Sequence, residues 1–372
     1  MKKILVFDKG GRRKRLNLIK KEKAPKDFLQ GIDFLKSKGL NIEHLSSIKS
    51  YKQTFLLKIG KLIEEFFCKI SNIGIRPLSV FQFEKKIKAS DYVVSLTDGF
   101  SISLGFYYYF INKKSSIKLA GGFHRLSDFD RKLSPLIKFI YHIIISKSLS
   151  RLDYIFFYGK ADQINSIKNF RIPEVKTHII KFGVDTKFWE PTNKSTFNSD
   201  YLFSIGQDPA RDFDTLLKVN TPKKIHIHTN LLKKRDDQKF KITNGNYYKY
   251  SNSYTDLKIR ELYQNSFAVI IPLKDVFQPS GYSVTLQSMS CGKPVILTLT
   301  KGLWAPEYFK NNKNCILVCP YKEKEIEEAI EKLSNDKNLY SEISRNSRLT
   351  IEKYFSIEVA NIATLKLFKI FH

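Results

Sequence analysis

Between residues 267 and 297 the chain reads FAVIIPLKDVFQPSGYSVTLQSMSCGKPVIL, and its apolar and polar positions fall into four blocks. Residues 267–273 form a short apolar run, the mark of a buried strand. Residues 274–280 are polar and contain Pro279, which marks a loop. Residues 282–291 hold no helix breaker and stop at Gly292, so the pattern predicts a helix with a glycine end. Residues 294–297 are apolar again. Strand, loop, helix, strand is a unit of parallel sheet.

The same alternation runs along the whole chain. Apolar runs at 2–8, 40–45, 90–96, 116–119, 154–158 and 177–181 predict strands. Helical periods at 27–38, 55–70, 135–149 and from 159 fall between them, with Asp27 as a cap and Gly39 as a stop for the first. The helix at 55–70 is rich in bulky apolar groups, and its edge, with a lysine-bearing start, suits a membrane surface. Residues 191–199 are polar and aperiodic, which places a linker there. Beyond it, strands at 201–205, 224–228 and 315–319 join the block above, with helices from 213 and at 259–266, 324–333, 339–355 and 356–371. The expectation is an α/β chain of two Rossmann-like domains, residues 1–190 and residues 199–356.

Ligands in open parallel sheets sit at the carboxyl ends of the strands, so the chemistry is sought there. Gly10 and Gly11 make a glycine-rich turn after the first strand, the usual opening of a Rossmann-like domain, with Arg12, Arg13, Lys14 and Arg15 behind them. Asp98 stands in the turn after residues 90–96. Gly121 and Gly122 lead into His124 and Arg125, expected in a loop. A histidine can bond a hydroxyl or take a proton, and an arginine suits a phosphate. Ser280 and Gly281 stand where loop meets helix, with Tyr282 as the first helical residue. Glycine admits a ligand close to the backbone, and the free N–H groups of a first turn favour an anion. Gln287 lies roughly 9 Å further along the axis at about 1.5 Å per residue, so a diphosphate at the helix start brings its ribose near Gln287.

The run Ser280-Gly281, Thr285, Gln287 and Gly292-Lys293-Pro294-Val295 resembles the donor-binding motif of GT-B glycosyltransferases, most of all the family-four nucleotide-sugar-dependent enzymes. The segment Gly183-Val184-Asp185 with Phe188 resembles the one that closes their first domain. The resemblance implies the GT-B fold, with residues 357–372 crossing back as a helix onto the first domain. It implies a nucleoside diphosphate sugar as donor, no further cofactor, no metal, and retention of anomeric configuration. Arg211, after Gly206, takes the place of the residue that pairs with the donor diphosphate, and residues 247–250 begin the loop near the base. The loop of Gly10 and Gly11 lines the cleft, and His124 and Asp98 line the acceptor side, where the family often has a histidine bonding a sugar hydroxyl. The chain departs from the family at two points: Gln287 and Pro279 stand where the family has glutamates. The product expected is a cell-surface polysaccharide or lipopolysaccharide, built on a glycan or lipid-linked acceptor.

Composition narrows the alternatives. Net charge is +28, from 64 basic and 36 acidic residues, which draws anions such as nucleotide sugars or anionic lipid. The clusters at 12–15, 20–26 and 85–88 suit peripheral contact with an anionic membrane. No nucleic-acid motif accompanies the charge, so no nucleic-acid partner is expected. The four cysteines are too few for a disulfide scaffold, and Cys315 and Cys319 have no second pair for zinc, so they are expected as buried free thiols. Neither a signal peptide nor a membrane span is read, which points to the cytoplasm or the inner face of its membrane. Asp128-Phe129-Asp130 and Asp212-Phe213-Asp214 match an Asp-x-Asp metal motif but do not end strands, and are rejected as metal sites. The competing readings are a GT-B-like sugar-nucleotide epimerase and a catalytically degenerate, basic binding protein.

Overall fold

The computed structural model describes residues 2–8, 12–46, 55–71, 75–113, 116–130, 133–245 and 254–369. Six strands build the first sheet: β1 (Lys3–Asp8), β2 (Asn41–Ser46), β3 (Tyr92–Ser95), β4 (Lys118–Phe123), β5 (Tyr154–Phe157) and β6 (Thr177–Ile179). They pair in parallel in the order β2-β1-β3-β4-β5-β6. Seven strands build the second: β7 (Tyr201–Ile205), β8 (Lys224–His228), β9 (Arg235–Asp236), β10 (Phe240–Thr243), β11 (Val269–Ile271), β12 (Val295–Thr298) and β13 (Ile316–Val318). Their order is β13-β12-β11-β7-β8-β10-β9, with only β9 antiparallel. Strands such as β1 and β11 are buried along almost their whole length because helices cover both faces of the sheet, which is why they read as unbroken apolar runs. In each sheet the strand order reverses beside the first strand, between β1 and β3 and between β7 and β11, and ligand crevices open at such points.

Several local expectations are corrected. Residues 27–38 do not form one helix. A 3-10 turn, Asp27–Leu29, and a helix, Ile32–Ser37, are separated by Gly31 in the left-handed region, with φ 75°. A Cβ on Gly31 would meet Asn361 Oδ1 at 2.7 Å, so the last helix presses on this break. Gly121 and Gly122 lie inside β4 rather than in a loop. A Cβ on Gly121 would lie 2.9 Å from both Ser101 Cβ and Leu152 Cδ1, so the strand accepts only glycine where those neighbours cross it. Cys315 is buried, but Cys319 is exposed because the chain leaves the sheet after Val318.

The last helix, Ile357–Lys369, lies on the first domain. Val184 and Ser356 form a parallel bridge, Val184 N–H donates to Phe355 O at 2.9 Å, and Ile357 N–H donates to Val184 O at 2.9 Å. Gly183 makes room for the helix, since a Cβ there would lie 2.5 Å from Ala360 Cβ. Arg348 fastens the crossing: its Nη1 donates to the carbonyls of Thr186, Trp189 and Ser290 at 3.1, 2.9 and 2.7 Å.

In the first domain the helices Asp98–Phe106 and Pro135–Ser150 touch backbone to backbone at Gly105, where a Cβ would lie 2.2 Å from Ser148 O. A carbonyl in a helix cannot swing aside, so the helices must part. Gly105→Ala is expected to destabilise the protein by about 1–3 kcal/mol or more. The check is a urea melt, in which the midpoint falls at an unchanged slope. A midpoint equal to wild type would show that the helices can separate freely.

Candidate functional site

The loops after β7 and β11 meet at the start of the helix Tyr282–Ser290. Gly281 caps that helix with φ 78°, a conformation few side chains adopt. Arg211 is buried beneath it, with a bridge to Leu273 and its N–H donated to Asp208 O at 2.9 Å. The two glycines named from sequence frame this guanidinium. A Cβ on Gly206 would lie 2.1 Å from Arg211 Nε, and one on Gly281 would lie 3.6 Å from Arg211 Nη1. A positive group and the N–H groups of a helix start therefore share one corner, an arrangement that suits a phosphate. Ser280 is tied into the loop: its Oγ donates to Asp208 Oδ2 at 2.9 Å and accepts from Gln278 Nε2 at 2.7 Å. Gln278 Nε2 also donates to Asp208 Oδ2, at 2.9 Å, and the backbone N–H of Gln278 donates to Asp128 Oδ2 of the first domain at 2.6 Å. Sequence reasoning passed over Asp208 and Gln278, since neither belongs to a motif.

Both positions that depart from the family face the first domain. A Cβ on Gly159 would lie 3.1 Å from Pro279 Cβ. Gln287 is buried, and its Nε2 donates to Asp27 Oδ2 at 3.0 Å. Asp27 also accepts from Trp189 Nε1 at 2.7 Å and from Asp185 N–H at 2.6 Å. Burial pushes the Asp27 carboxyl up to about 7, against the pull of those donors. A glutamate at 287 would set two carboxylates against each other here, whereas glutamine supplies a donor. Beside this contact Arg15 Nη2 donates to Asp256 Oδ1 at 2.6 Å, and the guanidinium lies 4.2 Å from the Phe28 ring centroid. Residues 15 and 27 of the first domain thus close on residues 256 and 287 of the second. Gly10, Gly11 and residues 247–250 lie outside the described residues.

On the other side of the cleft, Asp98 and His124 come together because β3 and β4 are neighbours and both residues follow their carboxyl ends. Asp98 Oδ1 accepts the backbone N–H groups of His124 and Arg125 at 2.8 and 3.2 Å, and its Oδ2 lies 3.2 Å from His124 Nδ1. Burial pushes this carboxyl up, but the His124 side chain and the two backbone N–H groups outweigh it and hold the group below its usual range. An ionised acceptor at Nδ1 selects the tautomer with its proton there, which leaves Nε2 as the acceptor nitrogen of the ring. The His124 ring stacks on Tyr158 at 4.3 Å, and Tyr158 stacks on Tyr282 at 6.1 Å. Gln30 Nε2 steadies Tyr158 by donating to its Oη at 2.9 Å. Asp98, His124, Tyr282, Gly281 and Arg211 therefore form one surface across the cleft. The Arg125 guanidinium lies 4.9 Å from the Phe129 ring centroid.

Three of the four carboxylates of the rejected metal motifs have partners of their own within the fold. Asp128 accepts from Gln278, Asp130 is paired with Lys138 at 3.0 Å and His142 at 2.6 Å, and Asp212 accepts from Thr215 Oγ1 at 2.6 Å. Asp162, buried under Ser127 N–H at 2.8 Å, is a further acid beside this loop, and burial pushes it up to about 7.

Residues 230–350 match the family described as glycosyl transferases group 1. No curated protein matches the chain by sequence. Among solved structures, HepE from Anabaena, crystallised with UDP and glucose, is 15% identical with a TM-score of 0.66, over 99% of this chain and 100% of that one. Sucrose-phosphate synthase from Thermosynechococcus elongatus is 12% identical with a TM-score of 0.70, over 100% and 99%. WaaG, a glycosyltransferase involved in lipopolysaccharide biosynthesis, is 11% identical with a TM-score of 0.58, over 97% and 99%. At these identities the likeness is one of fold. The chain has the GT-B fold along its length, and its residues 230–350 carry the sequence pattern of the group 1 glycosyl transferases.

Proposed function

We propose that the protein transfers a sugar from a nucleoside diphosphate donor to a glycan or lipid-linked acceptor in the assembly of a surface polysaccharide. The observation that carries this reading is the surface joining Arg211 and the Gly281 helix start to the Asp98–His124 pair through the Tyr158–Tyr282 stack. Arg211 and the helix start hold the diphosphate and take up the charge that grows on it as the glycosidic bond breaks, a role that needs no metal. His124 bonds an acceptor or donor hydroxyl through Nε2, with Asp98 fixing its ring. Retention of configuration, which the family resemblance implies, belongs to the same reading. HepE has been crystallised with UDP and with UDP-glucose, so uracil heads the list of bases to test here. Placement at the cytoplasmic side of the membrane belongs to the same reading. Among the described residues no helix is long and apolar enough to cross a membrane.

A second reading, a degenerate binding protein, is favoured by one observation: Asp27 and Arg15 of the first domain already engage Gln287 and Asp256. One experiment separates the two. Thermal shifts are measured with UDP, GDP, ADP and CDP on wild type and on Arg211→Ala. A ligand at a hundred times its Kd stabilises by about 2.7 kcal/mol. A shift with one nucleotide, lost in Arg211→Ala relative to that variant's own melting point, is the expected result. No shift with any of the four would leave the binding-protein reading in first place.

A further inference from the structure

The loop that leads into the helix Tyr282–Ser290 does not rest on its own domain alone. Gln278 and Pro279 reach across the cleft into a socket of the first domain. The Gln278 N–H donates to Asp128 Oδ2 at 2.6 Å. Pro279 lies against Gly159, where a Cβ would come within 3.1 Å of the proline Cβ and 3.5 Å of its Cγ. A side chain at 159 would press on the loop.

The socket is fixed from beneath. Asp128 ends the 3-10 turn Leu126–Asp128, and its N–H donates to Arg125 O at 3.1 Å. Beside it the Ser127 N–H donates to Asp162 Oδ1 at 2.8 Å. Asp162 is fully buried in the first turn of the helix Lys160–Phe170, and Gly159 is the N-cap of that helix. One helix start therefore holds both walls of the socket. The turn follows directly on His124 and Arg125, whose N–H groups are both bonded to Asp98. The residues that place His124 thus place Asp128 as well.

On the second domain, Gln278 carries the contact into the phosphate corner. Its Nε2 donates to the two Asp208 carboxyl oxygens at 3.1 and 2.9 Å and to Ser280 Oγ at 2.7 Å. Asp208 Oδ1 accepts the Ala210 N–H at 2.9 Å, and Asp208 O accepts the Arg211 N–H at 2.9 Å. Gly302 backs the loop closely, since a Cβ there would lie 2.5 Å from Gln278 O. A pull on the Gln278 N–H is therefore passed to Ser280, Gly281 and Arg211 and is not lost in slack chain.

We propose that Asp128 is a positioning residue of the donor site, supplied by the loop on the acceptor side. By holding Gln278 it fixes the Ser280–Gly281 helix start and Arg211 for a diphosphate. This rests on the transferase reading above. The effect runs in both directions, because a coupling between two sites is reciprocal. A nucleotide that orders the helix start also tightens the Gln278–Asp128 contact, and with it the loop of His124 and Arg125. Donor binding then prepares the acceptor side.

The test is calorimetric titration of the full chain with UDP, GDP, ADP and CDP, for wild type, Asp128→Ala and Asp128→Asn. Melting points without nucleotide show whether each variant is folded, which is expected because Asp128 is partly exposed. The nucleotide that binds wild type should bind Asp128→Ala about tenfold more weakly, the effect of one lost hydrogen bond to a charged group. Asp128→Asn keeps an oxygen that accepts the Gln278 N–H, so its affinity should stay within about threefold of wild type. Hydrogen exchange at the Gln278 amide should be faster in Asp128→Ala than in wild type, and nucleotide should slow it in wild type only. Equal affinities for wild type and Asp128→Ala would overturn the proposal even if the variant melts lower, since Asp128 would then only support the fold. Equal losses in the alanine and asparagine variants, or unchanged exchange at Gln278, would overturn it too. No binding of any of the four nucleotides to wild type is a different failure: it removes the transferase reading, and with it the donor that Asp128 is assigned to place.

Discussion

Asp27→Ala is expected to destabilise the protein by on the order of 3 kcal/mol. The substitution leaves three buried donors, Trp189 Nε1, Gln287 Nε2 and the Asp185 N–H, without the acceptor they share. Each buried donor left unpaired costs about 1–3 kcal/mol, less whatever is recovered by no longer burying a carboxyl. The titration of this residue gives a second readout. Its carboxyl lies near 7 in the folded protein against an ordinary 3.8, so the folded state holds the proton more tightly than the unfolded one. Its contribution to stability is then full below the ordinary value and is lost as pH rises through the folded one. Stability should fall between about pH 4 and pH 7 from this source. Asp162, displaced in the same direction, adds a similar slope. Asp27→Asn has no proton to lose and keeps one acceptor oxygen, so it should flatten this slope in part and cost less than alanine. Urea midpoints for the three proteins at pH 5 and pH 7 decide it. An unchanged slope in Asp27→Asn would mean that Asp27 is already ionised in the fold.

Such a residue could not be found by pattern. Asp27 was legible only as a cap at the start of a helical period, and that reading failed because Gly31 breaks the helix under Asn361. Its partner Gln287 was legible as a departure from the family motif, but nothing local to residue 287 says what lies 260 positions away in sequence. Arg15 and Asp256 are hidden for the same reason: one is part of a basic run, the other an ordinary helix start. The strands fared better because burial on both faces writes itself into a continuous apolar run. Of the strands up to β8, all but β4 were expected close to their final places; β4 runs on through the two glycines read as a loop, and β9 and β10 were missed because β9 is exposed and two residues long, and β10 alternates. Asp98 and His124 show how topology completes sequence. Each was a candidate by its own loop, and the pairing of β3 with β4 is what turns two loops into one site.

His124→Ala is expected to lower kcat for sugar transfer by about a hundredfold, within the range for one positioned polar group at a reacting centre. The nucleotide thermal shift should survive, because Arg211 and the Gly281 helix start are untouched. The fold should tolerate the change, since the ring is partly exposed and its main apolar contact, the stack on Tyr158, contributes about 0.5–1.5 kcal/mol. His124→Gln separates two roles for the ring. Glutamine can bond a hydroxyl but cannot carry a proton, so recovery of most of the lost rate would mean that His124 holds substrate. Asp98 acts through the ring and is a positioning residue. Asp98→Asn can turn its amide toward Nδ1 and draw the proton to the opposite nitrogen, so it should lower kcat with little change in KM and shift the acid limb of the pH profile. A variant with wild-type kcat and profile would show that the Asp98–His124 pair only shapes the loop after β4, and the chemistry would then have to be sought around Arg211 alone.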